Sequence, residues 1–337
     1  FQGGYYANNS SIKFITFNGT EQTYHAWDYS TRDNWEKYGR TYNPCGKYTD
    51  ENGNKAYYKN QIDYYHQQHY QLLWNQIFTP ELNLNVALHY THGFGYYEQY
   101  KEDQKLYKYL LTSALGNTSD LVRQKNMQND FYGTVMSLNY KKNSLETTVG
   151  GGWNKYDGDH IGNVLWVRQF NGSINPNQEY YNNNAQKSDA NIYGKVNYNI
   201  MGGLNTYVDL QYRHVKYEMT GMSAAFDDKH NQIPFDINKT FDFFNPKSGL
   251  YYTINKNNDV YASFAIAQKE PTRNDYEDYG SAQPKSERMS DWELGYNYKS
   301  KFFNAGINLY YLKYNYHSVL PGSTHPNGES NALNIDE

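Results

Sequence analysis

The sequence predicts an all-β fold, an antiparallel transmembrane β-barrel. Three observations carry that expectation: strict apolar alternation, very short turns, and long polar loops between the hairpins. The alternation is cleanest at Leu82-Asn83-Leu84-Asn85-Val86-Ala87-Leu88-His89-Tyr90. A strand sends successive side chains to opposite faces, so the leucines, Val86 and Tyr90 share one wall, and Asn83, Asn85, Ala87 and His89 the other. In a soluble sandwich the apolar wall packs on a core. In a barrel it meets lipid while the polar wall lines the lumen.

Taken in chain order, six tight connections pair the strands. A strand near Phe1–Tyr6 turns at Ala7-Asn8-Asn9-Ser10-Ser11, and Thr79-Pro80-Glu81 leads into the 82–90 stretch. Lys141-Lys142-Asn143-Ser144 joins Thr134, Met136, Leu138 and Tyr140 to Leu145, Thr147, Val149, Gly151 and Trp153. Met201-Gly202-Gly203 joins Ile192, Gly194, Val196 and Tyr198 to Thr206, Val208, Leu210 and Tyr212. Asn255-Lys256-Asn257-Asn258 follows Leu250, Tyr252 and Ile254 and precedes Val260, Ala262, Phe264 and Ile266. Lys299-Ser300-Lys301 joins Trp292, Leu294, Tyr296 and Tyr298 to Ala305, Ile307, Leu309 and Tyr311, in a last strand near Phe302–Tyr316. Each turn is rich in turn-formers or charge. The count is about twelve strands. Between the hairpins run five long connections, near 26–60, 100–128, 158–187, 221–238 and 269–287. Short turns on one rim and long loops on the other is the build of an outer-membrane barrel, whereas compact soluble domains rarely keep such loops. A short helix is expected over Glu102 to Leu111.

Composition narrows the function. With 38% hydrophobic residues and a mean hydropathy of −0.97, the chain has no apolar run of about 18 residues that would make a membrane helix. A barrel needs only every second residue apolar. Thirty-nine tyrosines suit interfacial girdles and ligand-binding loops alike. The 31 basic and 35 acidic residues are scattered, so nucleic acid is not an expected partner. Cys45 is alone and reads as a bystander.

Family-like motifs appear late in the chain. Phe244-Asn245-Pro246-Lys247-Ser248-Gly249-Leu250, Val260-Tyr261-Ala262-Ser263-Phe264-Ala265 and Glu270-Pro271-Thr272-Arg273-Asn274-Asp275-Tyr276 resemble the mid-to-late barrel of TonB-dependent outer-membrane receptors. Lys285-Ser286-Glu287-Arg288-Met289-Ser290-Asp291-Trp292-Glu293-Leu294-Gly295-Tyr296 is similar to the family's K-x-E-x-x-x-x-x-E-L-G-Y pattern. Arg40-Thr41-Tyr42-Asn43-Pro44-Cys45-Gly46 and the Tyr/Asn richness are most like receptors of gut Bacteroidetes. The resemblance covers essentially the whole chain. It implies that residues 1–337 form part of one barrel of about 22 strands, with the N-terminal plug and the first and last strands outside this sequence. It further implies an outer-membrane location and outer-membrane lipid around the barrel. The implied partners are TonB, engaged through the plug segment, a surface lipoprotein, and a scarce nutrient ligand such as a ferric siderophore, with haem or a corrinoid as alternatives.

The residues themselves point to binding rather than catalysis. No Ser-His-Asp, paired-carboxylate or nucleophile-elbow arrangement can be assembled, so an enzyme is not expected, nor a cofactor. His66 with His69, and His89 with His92, stand three apart in strands and face opposite ways, which argues against a shared metal ion. Asp157-Gly158-Asp159-His160, placed in a loop, and Glu277-Asp278 read as solvated turns rather than calcium sites. Gly93-Phe94-Gly95 is not a phosphate loop, and Gly150-Gly151-Gly152 permits a bend or the close approach of another segment. The ligand candidates lie in the long loops: Trp27, Arg32, Trp35, Tyr38, Arg40 and Tyr42 in the first, Trp166, Arg168 and Tyr180 in the third, Arg273, Tyr276 and Tyr279 in the fifth. Aromatic faces stack on rings and sugars, and arginine forks onto carboxylates or phosphates. A passive porin-type channel and a soluble all-β carbohydrate-binding protein are the other readings open to the same residues.

Overall fold

The alternating segments become strands much longer than the apolar pattern that announces them. The structure, a computed structural model, describes residues 1–27, 30–172, 174, 178–278, 284–319 and 333–335. The chain begins with β1 (Gln2–Tyr6) and β2 (Ser10–Tyr24), followed by a long connection that carries α1 (Arg32–Tyr38) and a small hairpin of β3 (Lys47–Thr49) and β4 (Lys55–Tyr57). Then come β5 (Ile62–Thr79), β6 (Leu82–Lys105), β7 (Thr118–Lys142), β8 (Leu145–Val167), β9 (Gln178–Met201), β10 (Leu204–Phe226) and β11 (Gln232–Asn255). The chain continues through β12 (Asn258–Lys269), α2 (Arg273–Asp278), β13 (Glu287–Lys299) and β14 (Asn304–Asn315), with a further short hairpin of β15 (His317–Val319) and β16 (Leu333–Ile335). Twelve strands form one sheet in the order β1-β2-β5-β6-β7-β8-β9-β10-β11-β12-β13-β14, every neighbouring pair antiparallel. This is the meander expected from six short turns.

The register sorts the two faces as the alternation requires. Leu84 lies opposite Leu138, Val86 between Trp74 and Met136, and Leu88 opposite Leu72. These outward residues have no second protein layer over them among the described residues: Leu88 is 46% exposed, Leu250 52% and Ile307 66%. The row Tyr70–Tyr90–Tyr132, together with Tyr212 beside Phe244 and Trp292 beside Tyr311, marks the aromatic upper edge of this apolar band. Just above it the outer face turns polar in the same way twice. Tyr90 Oη and His92 Nδ1 meet Asp130 Oδ1 at 2.7 and 2.8 Å, and Tyr212 Oη and His214 Nδ1 meet Asp242 Oδ1 at 2.5 and 2.7 Å.

On the lumen face, tyrosines stand directly opposite glycines: Tyr65 and Gly95, Tyr193 and Gly150, Tyr181 and Gly162, Tyr207 and Gly249, Tyr261 and Gly295. A Cβ on Gly295 would fall 2.0 Å from Tyr261 Cε1, and one on Gly162 2.2 Å from Tyr181 Cε1. Each ring therefore covers the glycine backbone of the adjacent strand, occupying the space of a side chain the glycine lacks. The segment that closes over Gly150 is thus the Tyr193 ring.

Strands also extend into regions expected to be loops. The third and fourth connections shrink to 168–177 and 227–231, and the second to 106–117. Asp157-Gly158-Asp159-His160 is part of β8, where Asp157 Oδ1 and Asp159 Oδ1 both accept from Asn184 Nδ2 at 2.8 Å while His160 faces the lumen side. Trp166 and Tyr180 are likewise strand residues. The helix expected over Glu102–Leu111 is only a 3-10 turn, Leu106–Tyr109, closed by Leu110 in the left-handed region at φ 56°. That turn folds in at the mouth and buries Leu106, Tyr109 and Leu111 against Leu121, Val164, Val167, Tyr180 and Tyr181. Two hairpin turns share one chemistry. Asp50 Oδ1 accepts from the amides of Asn52 and Asn54, and Asp227 Oδ1 from those of Lys229 and Asn231.

Candidate functional site

Following the lumen phase of β5 to β9 above the aromatic edge brings Asp63, Tyr65, Tyr97, Lys125, Met127, His160 and Tyr181 onto one stretch of inner wall. Arg273 and Asn274, at the start of α2, close the opposite side of a cavity of about 450 Å³. Lys125 Nζ lies 5.8 Å from the ring centres of both Tyr97 and Tyr181. His25 stacks flat on Tyr97 at 4.5 Å and sets Nδ1 3.5 Å from the Asp63 carboxylate. The Arg273 guanidinium lies 5.7 Å over the Phe235 ring. Burial, and then the nearby charge of Arg273, push the His160 imidazole down to about 4; Asp159 pulls it upward, and Lys125 adds the smallest downward push. His160 is therefore neutral at physiological pH, and the cationic side chains facing the cavity are Lys125 and Arg273. Two cations framed by aromatic faces suit an anionic ligand with a flat surface.

A larger cavity of about 520 Å³ lies at the short-turn rim among Asn197, Asn199, Asn205, Tyr207 and Tyr251. Its Lys141 and Glu146 pair with each other at 3.4 Å. It offers amides and rings without a converging charge, so the upper vestibule is the better ion site.

The expected site residues divide into three groups. Arg273 lines the vestibule, and Tyr276 stacks on Tyr217 at 5.8 Å just behind it. Trp27 is exposed at its edge, with Lys101 Nζ 5.3 Å over its ring and His25 beside it. Arg32 and Trp35 lie exposed on α1, where Arg32 Nε reaches Glu36 Oε1 at 2.9 Å, and Arg40 is exposed just beyond the helix. Tyr38 and Tyr42 stack on each other at 4.6 Å, with Lys47 over both. Arg168 is committed to the scaffold: it pairs with Asp120 at 3.0 Å, and donates to Tyr100 Oη at 2.7 Å and to Thr49 O at 3.1 Å, fastening the β3–β4 hairpin to the wall. Trp166 packs 6.0 Å from Tyr100 in the same joint. Tyr279 lies outside the described residues, as do the side chains of Glu277 and Asp278. Sequence reasoning missed Tyr65, Tyr97, Lys125, His160 and Tyr181. Their signal was the polar phase of the strands, continued past the last apolar residue.

The family model described as TonB dependent receptor-like, beta-barrel matches residues 4–336. The chain belongs to that family. Solved receptors share the barrel's fold. The ferric-catecholate import receptor Fiu of E. coli K12 superposes with a TM-score of 0.56 at 12% identity, over 96% of this chain and 51% of that one. The ferripyoverdine receptor of Pseudomonas aeruginosa gives 0.57 at 12% identity, over 95% and 42%. The copper transporter OprC gives 0.50 at 9% identity, over 99% and 54%. The TonB-dependent receptor barrel described here thus spans about half the length of such solved structures. No curated protein sequence matches it significantly.

Proposed function

We propose that this barrel belongs to an outer-membrane receptor that takes up a large anionic nutrient chelate, a ferric siderophore first among them, with energy supplied through TonB. The observation that carries the reading is the vestibule in which Lys125 and Arg273 face one cavity among Tyr65, Tyr97 and Tyr181. Supporting it, Fiu and the ferripyoverdine receptor, similar in fold, are named for ferric chelates. A passive channel gains nothing from a cation pair set against rings, since tight binding slows release. In this reading Trp27 makes the first contact at the vestibule edge, and Arg32, Trp35 and Arg40 act further out, as exposed capture groups on the first loop. Tyr276 supports the vestibule from behind, while Trp166 and Arg168 hold the loop that carries the capture groups.

The test is binding of ferric catecholate and ferric citrate chelates to the purified full-length receptor. Lys125→Ala and Arg273→Ala are expected to weaken binding about tenfold or more each, as loss of a charge-assisted contact would. Trp27→Ala should cost less, and Arg32→Ala least, because that guanidinium is exposed and shared with Glu36. Unchanged affinity in both Lys125→Ala and Arg273→Ala, with the barrel still folded by heat-modifiable migration, would remove the vestibule from the site.

A further inference from the structure

Beside the vestibule lies a cluster of charges that the uptake reading leaves unused. Lys187 and Asp189 on β9 and Arg213 on β10 share the lumen face, and Glu270 reaches them from the connection after β12. Arg213 donates from Nε to Asp189 Oδ2 at 3.0 Å and from Nη1 to Glu270 Oε2 at 2.8 Å, and Lys187 Nζ donates to the other Glu270 oxygen. The Glu270 side chain is only 9% exposed. Burial pushes its carboxyl up, but the bonds from Lys187 and Arg213 outweigh burial and hold it down at about 2.

This knot sits where the chain leaves the sheet. The ladder between β11 and β12 ends at Lys247 opposite Ala265, although β11 begins as early as Gln232. Glu270 follows the last residue of β12, and Pro271 then has no amide hydrogen with which to continue a ladder. Thr272 N and Oγ1 donate to Asp275 Oδ2 at 2.6 and 2.7 Å, which shapes the start of α2. Arg273 stands three residues from the anchored carboxylate. Its backbone is thereby tied to the wall through groups that do not line the vestibule.

We propose that Glu270 is a positioning residue for ligand capture: its ion pairs with Lys187 and Arg213 turn the chain inward and fix Arg273 in the vestibule before a ligand arrives. The proposal rests on the uptake reading above. Its physical content is preorganisation: a cation already held in place is not ordered at the expense of binding. The Arg213 donors are spent on Asp189 and Glu270, so Arg213 serves the site through the loop and does not touch the ligand.

Two readouts on the full-length receptor test it, with ferric catecholate and ferric citrate chelates as probes. Glu270→Gln keeps the shape and removes the charge. It is expected to speed amide hydrogen exchange across 272–276 without changing exchange in β10, and to weaken chelate binding about tenfold. Arg273→Ala in the Glu270→Gln background should lose nothing further, whereas Lys125→Ala in that background should add its full loss, the signature of coupling to one partner and independence of the other. If Glu270→Gln does not fold, Lys187→Met removes the opposite end of the same ion pair and repeats the measurement. Tighter binding by Glu270→Gln would mean that the carboxylate competes with the ligand, and would overturn the proposal. So would unchanged exchange, or additive losses with Arg273→Ala. Loss in Arg273→Ala with none in Glu270→Gln overturns the anchor alone, and no loss in either Arg273→Ala or Lys125→Ala overturns the vestibule itself.

Discussion

At His160 a covering of protein and two lumen-side cations make the protonated imidazole costly, whereas at Glu270 two donors make the ionised carboxylate favourable. Both shifts run downward, so both link stability to pH in the same direction. His160 contributes stability that is complete above its ordinary 6.5 and is lost as pH falls toward about 4. Glu270 contributes stability complete above 4.5 and lost as pH falls toward about 2. Acidification should therefore loosen the mouth in two stages, His160 first. Amide exchange of the full-length receptor across the pH range checks this: His160→Gln is expected to abolish the upper stage and leave the lower. A single transition unaffected by that change would contradict the assignment. The tyrosines show how one residue type serves separate ends. Tyr90 and Tyr212 cap the apolar band, Tyr181 and Tyr261 cover glycines, and Tyr97 faces the vestibule, so the high tyrosine content was never a count of ligand contacts.

Each strand carries a lipid phase and a lumen phase, and β10 offers the sharpest test of them. Leu210 is exposed on the outer face, while its neighbour Gln211 points inward and accepts from Asn245 Nδ2 at 3.2 Å. Leu210→Arg should cost about 2–4 kcal/mol near the bilayer midplane, and Gln211→Arg much less. Folding of the full-length protein into liposomes measures the difference, and equal costs would contradict the face assignment. The same phases explain what was legible in advance. Between the short turns and the aromatic edge one face meets lipid, so alternation is enforced and the strands of that zone could be read directly. Above the edge both faces meet water or folded loops. The backbone ladder of β6 runs on to Lys105, but the alternating polarity has gone, and the stretch from near residue 100 onward read as loop. Arg273 could be singled out as a candidate because it lies in a true connection. Lys125 and Tyr97 were missed because they sit in the upper halves of strands, where the polar phase continues without an alternating apolar phase to mark it.

At the scale of the whole sheet, β1 and β14 each have one paired neighbour among the described residues, which leaves two backbone edges open. Tyr5 and Tyr6 flank one edge, and Ile307, Leu309 and Tyr311 the other, all exposed. Unpaired edges beside apolar side chains are templates for further strands. The 337-residue chain produced alone is therefore expected to self-associate in detergent, while a chain that supplies neighbours to both edges stays monomeric. Light scattering of the two preparations decides the matter, and a monodisperse isolated chain would show that the edges close on each other. The tyrosines laid over glycines have a consequence for whatever occupies the interior. A ring lying against the wall takes up far less of the bore than one projecting into it, and it presents a smooth π face. A body sliding past such a surface breaks few directional bonds, so the wall there offers clearance and little drag.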